Sequence, residues 1–150
     1  MSTLPSRLRA IGELRDAHDA VLFARVGAFA AAVPLLMRLP LPRVAALLTR
    51  PTRREPPSAP EVERLERLIA LAPRVAGPLV RPGCLTRGVT LFWFLRRGGL
   101  DVELRFGLDP SQNGAAEGHC WLSLDDEPFL ERADPRPRFA ELYRLPLPTR

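Results

Sequence analysis

The sequence predicts an α+β fold in which helices come first and a small antiparallel sheet second. Three observations carry this. Apolar residues recur at spacings of three and four up to residue 97, the pair Gly98-Gly99 interrupts that pattern, and beyond it apolar and polar residues alternate with a period of two. A run of helical pattern followed by a run of strand pattern is the signature of segregated layers.

Residues 1 to about 49 read as helical, with Leu14, Ala17, Val21, Leu22, Ala24 and Ala28 on the apolar spacing. The helix is predicted to run through Ala32 and break near Pro34, with a shorter one following in PRVAALLTR. The stretch RPTRREPPSAPE, Arg50 to Glu61, holds four prolines among mixed charges and reads as a connector. Ser58 or Pro60, with Glu61, opens the next helix, EVERLERLIALAPRVAG, whose Val62, Leu65, Leu68, Ile69 and Ala72 share a face and whose Pro73 is expected to end or kink it.

The segment RPGCLTRG then starts a helix at Cys84 that closes at Gly98, with Leu85, Val89, Phe92 and Trp93 as its core stripe. In DVELRFGLD, Val102, Leu104, Phe106 and Leu108 alternate with polar or small residues, as in a half-buried strand. The loop PSQNGAAEG leads to a second strand, HCWLSL, and the DDEP turn leads to a short third one, FLER. The tail ADPRPRFAELYRLPLPTR is broken by proline and is expected to hold at most one helical turn, at FAELY. Residues 1–60 form the helical portion and Pro-rich connector, residues 61–150 the core, and the two are read as one domain.

A chain of 150 residues is long enough to bury a core and shape one dry cleft. All 22 basic residues are arginine and the formal charge is +5, but the arginines are interspersed with acids, which disfavours a nucleic-acid partner. Two cysteines, Cys84 and Cys120, make neither a disulfide framework nor a paired zinc motif, so no metal or cofactor is expected and a reducing cytoplasm fits. No export signal is expected in the charged opening residues. Ala20 to Met37 is the one membrane candidate, but Arg25 and Pro34 interrupt it and it is read as buried, not spanning.

The position of Cys84 suggests chemistry, because a helix N-terminus is where a thiolate is electrostatically favoured. Nucleophilic thiol catalysis also needs a base. On a strand, His119, Trp121 and Ser123 project to one face while Cys120, Leu122 and Leu124 project to the other. His119 is therefore the candidate partner, Cys120 is read as packing, and Trp121 as either a wall of the site or core. His18 is read as a surface or capping residue. Asp125 and Asp126 occupy the turn, and Glu131 and Asp134 lie on or just past the next strand. Glu131 is the first choice to orient the ring, since the hairpin returns it alongside His119. On the residues alone, a structural cysteine and histidine remain an open alternative.

The order Cys84-Leu-Thr-Arg87, a helix ending Leu95-Arg-Arg-Gly98-Gly, the strand Val-Glu-Leu-Arg-Phe-Gly107-Leu, and His119-Cys-Trp121 before an Asp-Asp turn resembles the transglutaminase-like maturation proteases of lasso-peptide pathways, over roughly residues 65–145. The resemblance implies a transglutaminase-like fold of the papain type and hydrolysis of the bond joining leader and core in a ribosomally made precursor. It matches Cys84 to the nucleophile and His119 to the general base. The third position usually holds Asp; this chain offers Glu131, with Asp126 or Asp134 as alternatives, and Cys120 replaces the usual alanine. Because no strand pattern precedes residue 100, the resemblance implies a stand-alone form whose partners are the precursor peptide, a separate leader-recognition protein and the lasso cyclase. The apolar and arginine-rich face of the N-terminal helices is a docking site on this reading and an ordinary core face otherwise. Two rivals stand beside the peptidase: an acyl transferase that delivers the thioester to an amine, and a non-catalytic scaffold with a decayed triad.

Overall fold

The computed structural model describes residues 16–50, 55–110 and 117–146. Helix α1, Ala17–Leu36, begins where the Asp16 carboxylate accepts the Asp19 N–H at 2.7 Å. It does not break at Pro34 as the sequence suggested. Burial of Val26, Ala30 and Val33 outweighs the single backbone bond that the proline removes near the helix end. The expected helical residues before Asp16, Leu14 among them, lie outside the described residues. Among those described, α1 is the one helix long and apolar enough to cross a membrane, with mean hydropathy 1.7 over its best window; Val21 and Leu35 lie on its exposed side.

Helix α2, Leu41–Leu48, turns Val44, Ala45 and Leu48 inward. Helix α3, Ala59–Ala76, opens with a capping box in which Glu61 accepts the Ser58 N–H at 2.8 Å. Pro73 sits inside α3, which continues to Ala76; Gly77, at φ 55°, ends it and starts a 3₁₀ turn, Gly77–Leu79.

Helix α4, Cys84–Arg97, is the centre of the molecule. Its buried Val89, Leu91, Phe92 and Leu95 join one apolar cluster with Val26 and Ala30 of α1, Leu65 and Ile69 of α3, and Leu104, Leu122 and Leu145 of the sheet. A helix buried on so many sides is not limited to one stripe, and Leu85, expected in the core, is 37% exposed.

The strands are β1, Glu103–Leu108; β2, Gly118–Leu124; β3, Glu127–Phe129; and β4, Ala140–Leu145. They form one antiparallel sheet in the order β3-β2-β1-β4, with Phe106 opposite Cys120 and Gly107 opposite His119. Two expectations give way here. The tail segment AELYRL is a strand, because the free edge of β1 offers it a ladder that a single helical turn cannot match. The third strand stops at Phe129, where Leu130 turns to φ 58°, so Glu131 lies past the ladder. Asp125 and Asp126, at φ 51° and 64°, make the tight turn between β2 and β3.

Alternation along β1 predicted a solvent-facing Arg105. The structure buries it to 6% exposure, with its guanidinium bonded to Glu103, Asp126, Glu141 and the Ser123 hydroxyl. The sheet is covered on this face too, where Trp121 and Phe139 are buried.

Candidate active site

Cys84 is the first residue of α4, and the residue before it explains the Pro-Gly-Cys sequence. Gly83 has φ 154° and ψ 163°, a backbone state that L side chains rarely adopt. A glycine also brings no capping side chain, so the first-turn N–H groups beside the sulfur are left for an incoming oxygen.

The Cys84 thiol is half-buried, yet its pKa falls from 9.0 to about 5. The largest cause is a hydrogen bond from the Cys120 thiol. The Cys120 backbone N–H and the hydrogen bond and charge of His119 add to it, and partial burial opposes them. Cys120 is pushed the opposite way, first by bonding the Cys84 sulfur and then by burial, so the pair keeps its proton on Cys120. Cys120 is core packing as expected, 4% exposed, but it does not face away from the site. Helix α4 lies against the face carrying Leu104, Cys120 and Leu122. At Gly88, one turn after Cys84, an added Cβ would stand only 3.1 Å from the Cys120 sulfur. A thiol at the start of that helix therefore meets Cys120 as well as His119.

His119 is held by its surroundings. Its ring stacks on Phe139 at 4.9 Å and lies 6.1 Å from Trp121, and its Nε2 is 3.9 Å from Glu131 Oε2. Glu131, largely buried, is fixed from the other side: Arg87 Nη1 donates to its Oε1 at 3.0 Å. The Arg87 Nη2 group also donates to Glu66 of α3 at 2.8 Å and to the Leu130 carbonyl. The sequence shows Arg87 in the Cys84-Leu-Thr-Arg87 motif but not its task. The available signal was its spacing, three residues after Cys84 and hence on the same helix face.

The alternative acids stand elsewhere. Asp126, in the β2–β3 turn, is mostly exposed and bonds Arg105, which lowers its pKa; Asp134 bonds Arg136, with the same direction of shift. Among the described residues Glu131 is the carboxylate paired with His119. Trp121 is 1% exposed and lies in the core behind the histidine, not in the wall of the cleft; its buried Nε1 has no partner among the described residues. Phe139 takes the wall position, since it lines a cavity of about 570 Å³ together with Cys84, His119, Arg87 and Glu131. His18 is on the exposed side of α1.

The arrangement joins a thiol of lowered pKa, an imidazole with a carboxylate oxygen 3.9 Å from its Nε2, and first-turn N–H groups that no side chain caps, beside an open cleft. That set can attack an acyl carbon and hold the resulting oxyanion. A family model described as transglutaminase-like superfamily matches residues 24–144. No curated protein and no solved structure matches the chain.

Proposed function

The chain belongs to the transglutaminase-like superfamily, whose activities are of the cysteine-protease and acyl-transfer type, and from that premise we propose that it is a cysteine peptidase that releases the leader from a lasso-type precursor peptide. The observation that supports this most directly is the linked set Arg87–Glu131–His119 ending at a Cys84 thiol lowered to about 5.

In the proposed reaction the Cys84 thiolate attacks the scissile carbonyl, and the first-turn N–H groups of α4 hold the oxyanion. The His119 imidazolium gives its proton to the leaving amine, and the acyl group remains on Cys84 as a thioester. Neutral His119 then takes a proton from water, hydroxide adds to the thioester, and collapse releases a carboxylate and restores the thiolate. Glu131 holds the ring toward the sulfur; Arg87 keeps the carboxylate in place. On this reading, leader recognition falls to a separate leader-binding partner. Binding energy from the held leader would then orient the bond to be cut. A cytoplasmic setting accords with a reactive thiol that must stay reduced.

The test is mass spectrometry of a precursor peptide incubated with this protein, with and without a leader-binding partner. Two fragments whose summed mass exceeds the precursor by one water, lost in Cys84→Ala, are the expected result. A new amide in place of a free carboxylate would redirect the reading to acyl transfer, and an intact precursor in every combination would overturn it.

A further inference from the structure

Cys84 lies in the walls of two cavities that differ in their charged residues. On one side is the ionic cleft, whose walls carry Glu66, Arg87, Glu131, Asp134 and Arg138 among apolar residues such as Leu130 and Phe139. On the other is a cavity of about 310 Å³ that also has Cys84 and His119 in its wall, but is otherwise lined by Leu85, Phe106, Leu108, Leu142 and Tyr143, with backbone at Gly107 and Gly118.

The second cavity follows from where α4 begins. The face of β1 that carries Leu104 is covered by the helix, but the helix starts at Cys84, and the part of the sheet beyond that point is left open. There Phe106 stacks on Tyr143 at 4.4 Å and makes an aromatic floor. The rim consists of two large apolar side chains left in water, Leu142 at 60% and Leu85 at 37% exposure. Single exposed apolar residues are ordinary, whereas two of them over an aromatic floor, bordering a low-pKa thiol, form a continuous apolar recess. Among the described residues no Asp, Glu or Arg lines it.

We propose that this recess is a specificity subsite that receives one large aliphatic or aromatic side chain of the acyl-donor peptide, close to the bond presented to Cys84, and that Leu142, Phe106 and Tyr143 select it. The proposal rests on the reading of Cys84 as the reactive thiol. It names the substrate class: peptides apolar on one side of the cleaved bond, with polar or charged residues passing into the ionic cleft on the other. Dehydrating the Phe106–Tyr143 floor and the Leu142 rim around such a side chain supplies the preference.

Competing alkylating probes test this without a known substrate. The second-order rate of Cys84 labelling is measured with iodoacetamide, N-phenethyl chloroacetamide and N-methoxyethyl chloroacetamide, each divided by its rate on the unfolded chain. The phenethyl probe is expected to gain about tenfold over the methoxyethyl probe in the native protein. In Leu142→Asp that gain, normalised to iodoacetamide in the same variant, is expected to fall to about twofold. Equal normalised rates for the two probes in the unaltered protein would overturn the subsite while brisk iodoacetamide labelling leaves the thiol reading standing. A preference that survives in both Leu142→Asp and Tyr143→Ala would overturn its placement. Native labelling by iodoacetamide no faster than in the unfolded chain would overturn the reactive thiol itself, and the subsite with it.

Discussion

Arg87 Nη1 lies 3.0 Å from Glu131 Oε1, and the same carboxylate presents its other oxygen to His119 Nε2 at 3.9 Å. One side chain of α4 thus positions the acid whose histidine faces the cysteine at the start of that same helix. The arrangement carries a cost. The Arg87 guanidinium competes with the imidazolium for the carboxylate, so the guanidinium must hold the acid without neutralising it. Its second contact, to Glu66 at 2.8 Å, divides its charge between two acids.

Glu131→Gln keeps the size of the side chain and removes its charge. Precursor cleavage is expected to fall about a hundredfold, because the ring loses the group that orients it. Asp126→Asn, in the exposed turn, is expected to stay within about twofold of the unaltered protein. Comparison of kcat/KM for the two variants checks the assignment, and the opposite ranking would transfer the role to Asp126.

Arg87→Gln is expected to lower kcat/KM about tenfold, mostly through kcat, since Glu131 would no longer be fixed. Arg87→Lys should recover only part of this. A lysine provides a charge but not the fork that reaches Glu131, Glu66 and the Leu130 carbonyl together. Full rescue by lysine would show that charge alone matters.

Because the folded-state pKa of Cys84 is lowered from 9.0 to about 5, its reactive anion is present above about pH 5 and is lost as pH falls through that value. Alkylation of the native protein is therefore expected to plateau from about pH 6 upward. The unfolded chain should keep accelerating to about pH 9. Rates with iodoacetamide across pH 4–10, read by intact mass, check this.

Cys120→Ala removes the hydrogen bond that contributes most to that shift, while the residue 120 N–H and His119 remain. The midpoint of the Cys84 alkylation profile is expected to move upward by about one to two pH units, still below that of a free thiol. An unchanged midpoint would mean that His119 and the helix N-terminus suffice.

Arg105→Leu removes the buried cation shared by Glu103 and Glu141 together with the donor to Ser123, and leaves the more exposed Arg144 beside the two carboxylates. A loss of about 2 kcal/mol is expected, tempered by the partial exposure of both carboxylates. Urea denaturation followed by circular dichroism measures it.

The helices-then-sheet order and the start of α4 at Cys84 were legible in the sequence because each depends on local periods and punctuation: spacings of three and four before Gly98, alternation after it, and Pro-Gly ahead of a cysteine. What lay beyond that reach depended on partners distant in the chain. The FAELY segment became β4 only because β1 offers it an open edge, and α1 and α3 continued through their prolines because the core holds them. Arg105 was buried because four groups from separate strands and turns meet its guanidinium. Cys120 joined the site for a similar reason. Strand alternation predicts which way a side chain points, but what stands in front of it is set by the docking of α4, and only tertiary packing decides that.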